Sequence, residues 1–331
     1  MTQRGESTRL GYFVGFCRLL SITWLIIIFF APSGHATYFS SMNIDVLGRG
    51  GGTCGLVACP GDVDNVIWNA SGLAESPGRL GFAAYMDYLV DTRAGMVGYT
   101  GSAEAGRSYG LYVSYLSTGM VARTGWDDHT GTGDEFSHGE VVFGLSGGTW
   151  LTSFFSGGAG IKMARQSADD VIAGGMFADL SGTVRILPLG SGDGASGYEA
   201  YSALVLRNLQ VFRWGDKDGD SPGNLELGFG LEAPGRAFEA GFSFYFADRD
   251  RRQVRAGLTA RPAEDFEVRI GYRRRTGKIS DSANDLPWER GLSAGFGVGF
   301  GRVWVDYTYE DASPLDNIHR FGIRTAVGSP E

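Results

Sequence analysis

The sequence is poor in most of what marks a soluble enzyme or a nucleic-acid binder. Only 3 of its 29 basic residues are lysine, histidine occurs 4 times, and the net charge is −8. Basic patches are what a nucleic-acid role needs, so that role is excluded. Beyond Pro32 no run approaches eighteen apolar residues, which rules out a bundle of membrane-spanning helices. Proline is scarce at 10 in 331 and glycine shows no period of three, so the chain is not collagenous. Of the three cysteines, Cys17 lies near the N-terminus, and Cys54 and Cys59 have no histidine close by in sequence. Two thiols do not complete a zinc site; in an oxidising compartment they form either a small staple or two free thiols. No serine, histidine and carboxylate pattern marks a nucleophile, and the chain is read as a non-enzyme.

What is present is glycine, 53 residues, about twice the usual share, together with 21 Phe, 14 Tyr and 7 Trp. Glycine-rich disordered tracts lack aromatics. Glycine interleaved with aromatics indicates β-structure with many turns and close backbone contacts.

The N-terminus has the order of an export signal. Arg4, Arg9 and Arg18 precede the apolar run from Leu19 to Pro32, and Gly34 and Ala36 are the small residues that a signal peptidase reads. Residues 1–36 are therefore expected to be a cleavable signal peptide, with an uncleaved anchor as the alternative.

Along the rest of the chain the period is two. In "FEVRIGYRRR", Phe266, Val268, Ile270 and Tyr272 share one face, and Glu267, Arg269, Gly271 and Arg273 the other. "GLSAGFGVGF" sets Leu292, Ala294, Phe296, Val298 and Phe300 against a face that is mostly glycine. About fourteen such runs begin near Leu80, Ala94, Arg107, Ser137, Ser156, Gly174, Tyr198, Gly223, Ala237, Arg252, Asp265, Arg290, Gly301 and Ile318. Most span roughly nine to twelve residues, the length of a tilted membrane strand. Alternation alone also fits a sandwich or a soluble barrel. The aromatic outer faces, the export signal and the small or charged opposite faces favour a membrane barrel with a wet lumen. Facing lipid at mid-membrane, Arg269 or Arg273 would cost about 2–4 kcal/mol each, so Glu267, Arg269 and Arg273 are expected to line the interior.

The stretch "GDVDNVIWNASGLAE", followed by "LGFAAYMDYLVDTRAGMVGYTG" and "SYGLYVSYLSTG", resembles the start of the PorV/PorQ family of outer-membrane barrels, part of the wider FadL-like group. The likeness continues through "GAGIKMARQ", "GGMFADLSG" and "ALVLRNLQ", and closes on "AGFGVGFGRVWVDYTYEDASPLDNIHRFGI". Trp68, Asn69, Gly72, Leu73 and Ala74 match the family's plug motif, whereas Ala70 and Ser71 stand where it usually has proline and alanine. The resemblance implies an all-β, transmembrane antiparallel barrel of about 14 strands over residues 80–328, with a short plug-like segment over 37–79. It implies that Trp68, Asn69, Gly72 and Leu73 serve as plug or gating positions, and that the Asn69 sequon is accidental. It further implies an outer-membrane location among lipid and a role in type IX secretion, holding exported proteins for the secretion machinery. The alternatives are FadL-like uptake of a small hydrophobic compound and a purely structural outer-membrane protein.

Two loops invite a metal. Asp216, Asp218 and Asp220 begin like a calcium loop, but Ser221 stands at the glycine position and Leu227 at the bidentate position, so Ca²⁺ is a weak candidate and an ordinary acidic loop the simpler reading. "WDDHTGTGDEFSHGE" carries His129 and His138 among five carboxylates without a known ligand spacing, and reads as a solvated acidic connection. No cofactor is expected.

Overall fold

The computed structural model describes residues 39–328, except 54, 55, 59, 77, 90, 105, 125–132, 190–196, 216–221, 248–251, 277–290 and 313–316. Cys54, Cys59, His129, Asp216, Asp218 and Asp220 lie outside the described residues.

Fourteen antiparallel strands close into one barrel. In chain order they are β1 (Leu80–Asp87), β2 (Arg93–Glu104), β3 (Arg107–Ser117), β4 (His138–Trp150), β5 (Phe155–Ala168), β6 (Val171–Leu189) and β7 (Tyr198–Gly215). The second half consists of β8 (Asn224–Glu232), β9 (Phe238–Phe246), β10 (Arg252–Ala263), β11 (Phe266–Thr276), β12 (Leu292–Phe300), β13 (Val303–Asp311) and β14 (Asn317–Ala326). Closure is made by β1 against β14, from Leu80 opposite Ala326 to Asp87 opposite His319. A two-residue pairing of Val121–Ala122 with Glu135–Phe136 stands outside the barrel in the connection from β3 to β4. Each strand starts within three residues of the position expected from alternation.

Strand length departs from expectation. β6 has 19 residues and β7 has 18. Their pairing carries register shifts between Met176 and Phe177, between Ala178 and Leu180, and between Ile186 and Leu189. A bulge inserts a residue that reverses the face of those after it, so a long strand reads in sequence as a short one ending where alternation breaks. Asn208, with φ 57°, sits at the second of these shifts.

The connections are short at the end where β1 starts, as from Ala263 to Phe266 and from Phe300 to Val303. The longest lie at the other, from Ser117 to His138 and from Thr276 to Leu292. The outer face carries Val97, Leu111, Val113, Phe143, Ile161, Phe242, Ile270, Phe296 and Ile323, all exposed. The inner face is buried because the segment before β1 runs inside the barrel. It turns through short helices at Ser40–Asn43, Gly48–Gly52, Asn65–Trp68 and Ala70–Glu75.

Much of the glycine excess has its reason here. A methyl group on Gly158 would overlap the Ser71 backbone nitrogen, and one on Gly148 the Ala70 carbonyl. The wall gives up side chains where the inner segment presses on it, so close approach rather than turn geometry sets these positions.

Candidate functional site

The four motif positions lie buried inside the barrel. Trp68 closes the helix Asn65–Trp68, and Asn69, Ser71 and Leu73 are at most 1% exposed. The Asn69 amide donates to the Val57 carbonyl at 2.7 Å and to Thr183 Oγ1 at 3.0 Å, and its Oδ1 accepts from the Ser71 hydroxyl at 2.6 Å. Ser71 Oγ lies 2.8 Å from Thr183 Oγ1, and the Ser71 N–H donates to Ser181 Oγ at 2.8 Å. These bonds tie the inner segment both to itself and to β6. They also bury the sequon, which leaves its amide no access to a glycosylating enzyme.

Gly72 lies within the short helix Ala70–Glu75. It is not in the left-handed region; a Cβ there would meet the Asn65 side chain at 2.6 Å. Its missing side chain makes room for Asn65. Trp68 lies under a guanidinium, with Arg207 Cζ 4.3 Å from its ring centre, and Arg255 covers Tyr245 at 4.4 Å. Both arginines reach Glu226, at 2.8 and 3.5 Å. Such cation–π stacking gains strength where water is excluded.

Glu267 and Arg269 face the lumen and are buried. Glu267 is a hub: Arg269 at 2.7 Å, Arg324 at 2.8 Å, Arg261 at 3.3 Å and Arg49 of the inner segment at 3.4 Å surround it. Arg269 also reaches Asp306 at 2.8 Å. Arg273 pairs with Glu310, which Arg320 also holds at 2.7 Å. His138 opens β4, with Nε2 3.0 Å from Glu140, and His319 Nδ1 lies 2.9 Å from the Tyr307 hydroxyl.

Sequence reasoning missed the partners within the inner segment. Arg49 pairs with Asp62 and reaches Glu239 at 3.1 Å, Glu75 reaches Arg185 at 2.5 Å, and Arg320 Nε donates to the Asp45 carbonyl at 2.8 Å. Within the wall, Lys162 meets Asp179 at 2.6 Å. The wall residues had a signal, since each sits on the small-or-charged face of an alternating run. The inner segment has no period to betray which of its charges are paired. Burial pushes the Asp64 carboxyl up to about 7, with the nearby Asp45 adding to it and Arg49 opposing. Asp45 is pushed up to about 6, again by burial, against the pull of Arg320.

The lumen is two-sided. From β1 to β6 its wall presents Phe82, Met86, Met96, Tyr112, Leu116, Val142 and Phe177, packed in one cluster with Phe39, Met42, Val46 and Leu47 of the inner segment, beside the buried Glu140, Lys162 and Asp179. From β7 to β14 it carries Arg207, Glu226, Glu239, Arg255, Glu267, Arg269, Asp306, Glu310 and Arg320. The inner segment bridges the two, with Phe39, Met42, Val46 and Leu47 in the apolar cluster and Arg49 paired to Glu239 and Glu267 of the other arc.

No protein-family model and no curated protein matches the sequence. Among solved structures, the Ralstonia pickettii toluene transporter TbuX matches with TM-score 0.56 and 8% identity, over 85% of this chain and 98% of that one. The Pseudomonas putida toluene transporter TodX matches at 0.53 and 11%, over 89% and 97%. A Pseudomonas aeruginosa FadL homologue matches at 0.51 and 10%, over 86% and 98%. The chain therefore has the fold of these FadL-type barrels.

Proposed function

We propose that the chain is an outer-membrane barrel that admits small hydrophobic compounds, the inner segment acting as a gate whose parts include Trp68, Asn69, Gly72 and Leu73. The observation that carries this reading is the two-sided lumen. An apolar arc spans the cluster from Phe39 to Phe177, and the opposite arc anchors the segment through ion pairs. A hydrophobe can displace side chains along the apolar arc while the charged arc keeps the segment attached. Met42, Met86 and Met96 in that cluster suit ligands of varied shape, because the thioether chain repacks at little cost. The fold comparison supports the reading, since two of the matching barrels are toluene transporters. The cargo-holding role of a PorV/PorQ secretion component rests on the sequence resemblance alone, so hydrophobe entry is preferred.

The test is uptake of labelled toluene and of a labelled long-chain fatty acid by bacterial cells whose own hydrocarbon channel is deleted and which express this chain. Faster entry of either compound, with no change for a polar solute of similar size, is expected. Entry no faster than in cells expressing nothing sinks the proposal.

A further inference from the structure

On its outer face the barrel carries a hollow of about 600 Å³ over β8–β12. Cross-strand pairing shows its origin. One outward row reads Phe229, Phe242, Ala256, Tyr272, Leu292, each directly opposite the next. Ala256 is the one small residue between two aromatic rings, and it leaves the gap. On the lumen side of the same wall, Gly230, Gly241, Gly257 and Gly271 are paired in a continuous line. There the wall is bare main chain, with Leu56 of the inner segment behind it, 3.0 Å from where a Gly257 side chain would start.

The hollow has a charged rim. On the outer face, the next row toward the long connections holds Val254 opposite Arg274, and the row after it Arg252 opposite Thr276. Two residues along a strand advance about 7 Å, so Arg274 stands one side-chain layer above Tyr272. Both arginines are exposed, and neither has a hydrogen bond or ion pair among the described residues. An apolar slot ending at two unpaired guanidinium groups matches a molecule with a hydrocarbon tail and an anionic head.

We propose that this wall is a specific site for an anionic phospholipid, its acyl chain lying beside Ala256 and its phosphate on Arg252 and Arg274. The proposal assumes the membrane placement given above but not the hydrophobe-uptake role. It differs from general attraction to lipid, because a flat barrel wall offers a chain no slot and a scattered arginine no tail contact.

The probe is phosphatidylglycerol. The mature chain is inserted into nanodiscs of phosphatidylcholine with a minor fraction of phosphatidylglycerol, and the lipids retained after extraction are counted by native mass spectrometry. Retention is expected to favour phosphatidylglycerol on the order of tenfold, the scale of two surface arginines acting on one anionic head. R252Q/R274Q should abolish the preference, and A256F should lower the count of retained phosphatidylglycerol by filling the slot. R165Q, at another exposed arginine on the outer face, should leave both unchanged. All these side chains face outward, and heat-modifiable electrophoretic mobility verifies that each barrel has closed. Equal retention of the two lipids, a preference surviving R252Q/R274Q, an equal loss in R165Q, or an unchanged count in A256F would each overturn the site. A barrel that fails to enter the bilayer overturns the membrane placement with it, an outcome separate from an inserted barrel without preference.

Discussion

Replacing Asn69 with alanine should loosen the inner segment while leaving the barrel intact. The side chain is 1% exposed and makes three hydrogen bonds, two donated and one accepted. Each contributes about 1 kcal/mol net, and a buried carbonyl left without its donor costs about 1–3 kcal/mol more. The Val57 carbonyl is that acceptor. The seated segment should therefore lose about 4–6 kcal/mol relative to its open state. At about 1.4 kcal/mol per decade, this is roughly a several-hundred- to ten-thousand-fold rise in opening. The cost falls on the segment because the barrel's own ladders from β1 to β14 do not use Asn69.

Amide hydrogen exchange followed by mass spectrometry reads the opening directly, since protection reports the local free energy of exposure. Peptides covering Asn65–Glu75 should exchange faster in N69A by that factor, with strand peptides such as Phe266–Thr276 unchanged. S71A offers an internal scale. It removes the hydroxyl bonds, but Asn69 keeps Val57 and Thr183, so a loss of only about 1–2 kcal/mol is expected. Exchange in N69A within threefold of the unmodified chain would refute the argument that these bonds hold the segment. So would uniform loosening of the strands.

Three further outcomes follow from the same geometry. G158V should prevent seating, because its side chain would overlap the Ser71 nitrogen, whereas G139V, with nothing nearer than 3.7 Å, should be tolerated; protease cleavage within residues 60–76 of the folded barrels distinguishes the two. E267Q removes the carboxylate charge shared by four arginines and should cost about 3–5 kcal/mol, the scale of breaking a buried pair, seen as a lower urea midpoint for loss of the barrel's fast-migrating electrophoretic form. Raising the pH should weaken seating. Asp64 is held up at about 7 and Asp45 at about 6 against an ordinary 3.8, so the seated state binds more protons than the released one between those values. Their contribution is complete below about pH 4 and is lost as pH rises through 6 to 7; intrinsic-rate-corrected exchange of Asn65–Trp68 should quicken over that window and D64N should flatten the change.

The barrel was legible because a strand between lipid and a lined interior must alternate, and "FEVRIGYRRR" or "VWVDYTYE" cannot alternate by accident over so many turns. Strand starts followed from the same rule. The lengths of β6 and β7 did not, since their bulges shift the phase at Phe177 and around Asn208, and sequence alone cannot distinguish a phase shift from an end. Glu267, Arg269 and Arg273 stood out because charge on one face of an aromatic strand has only one affordable direction. Arg49, Asp62 and Glu75 did not, because irregular backbone has no phase and the wall partners of Arg49 and Glu75 lie over a hundred residues away.

The departure from the plug motif that this sequence resembles carries its own logic. Proline ahead of a turn restricts the backbone before folding, and its absence at Ala70 leaves that turn more conformations to lose. Ser71 offsets this from the folded side. Where the resembled motif carries alanine, its hydroxyl meets both Asn69 and Thr183, and its N–H meets Ser181. Restriction within the chain is replaced by attachment to the wall. The two devices differ in consequence: a proline turn stays rigid wherever the segment goes, whereas a turn held by hydroxyls is ordered only when seated. A segment held in the second way gains backbone entropy on release, so its opening should be easier and its free form less structured. If entry of a hydrophobe frees this segment from β6, Ser71, Ser181 and Thr183 are the contacts that must break first, and they belong to β6 and the segment alone.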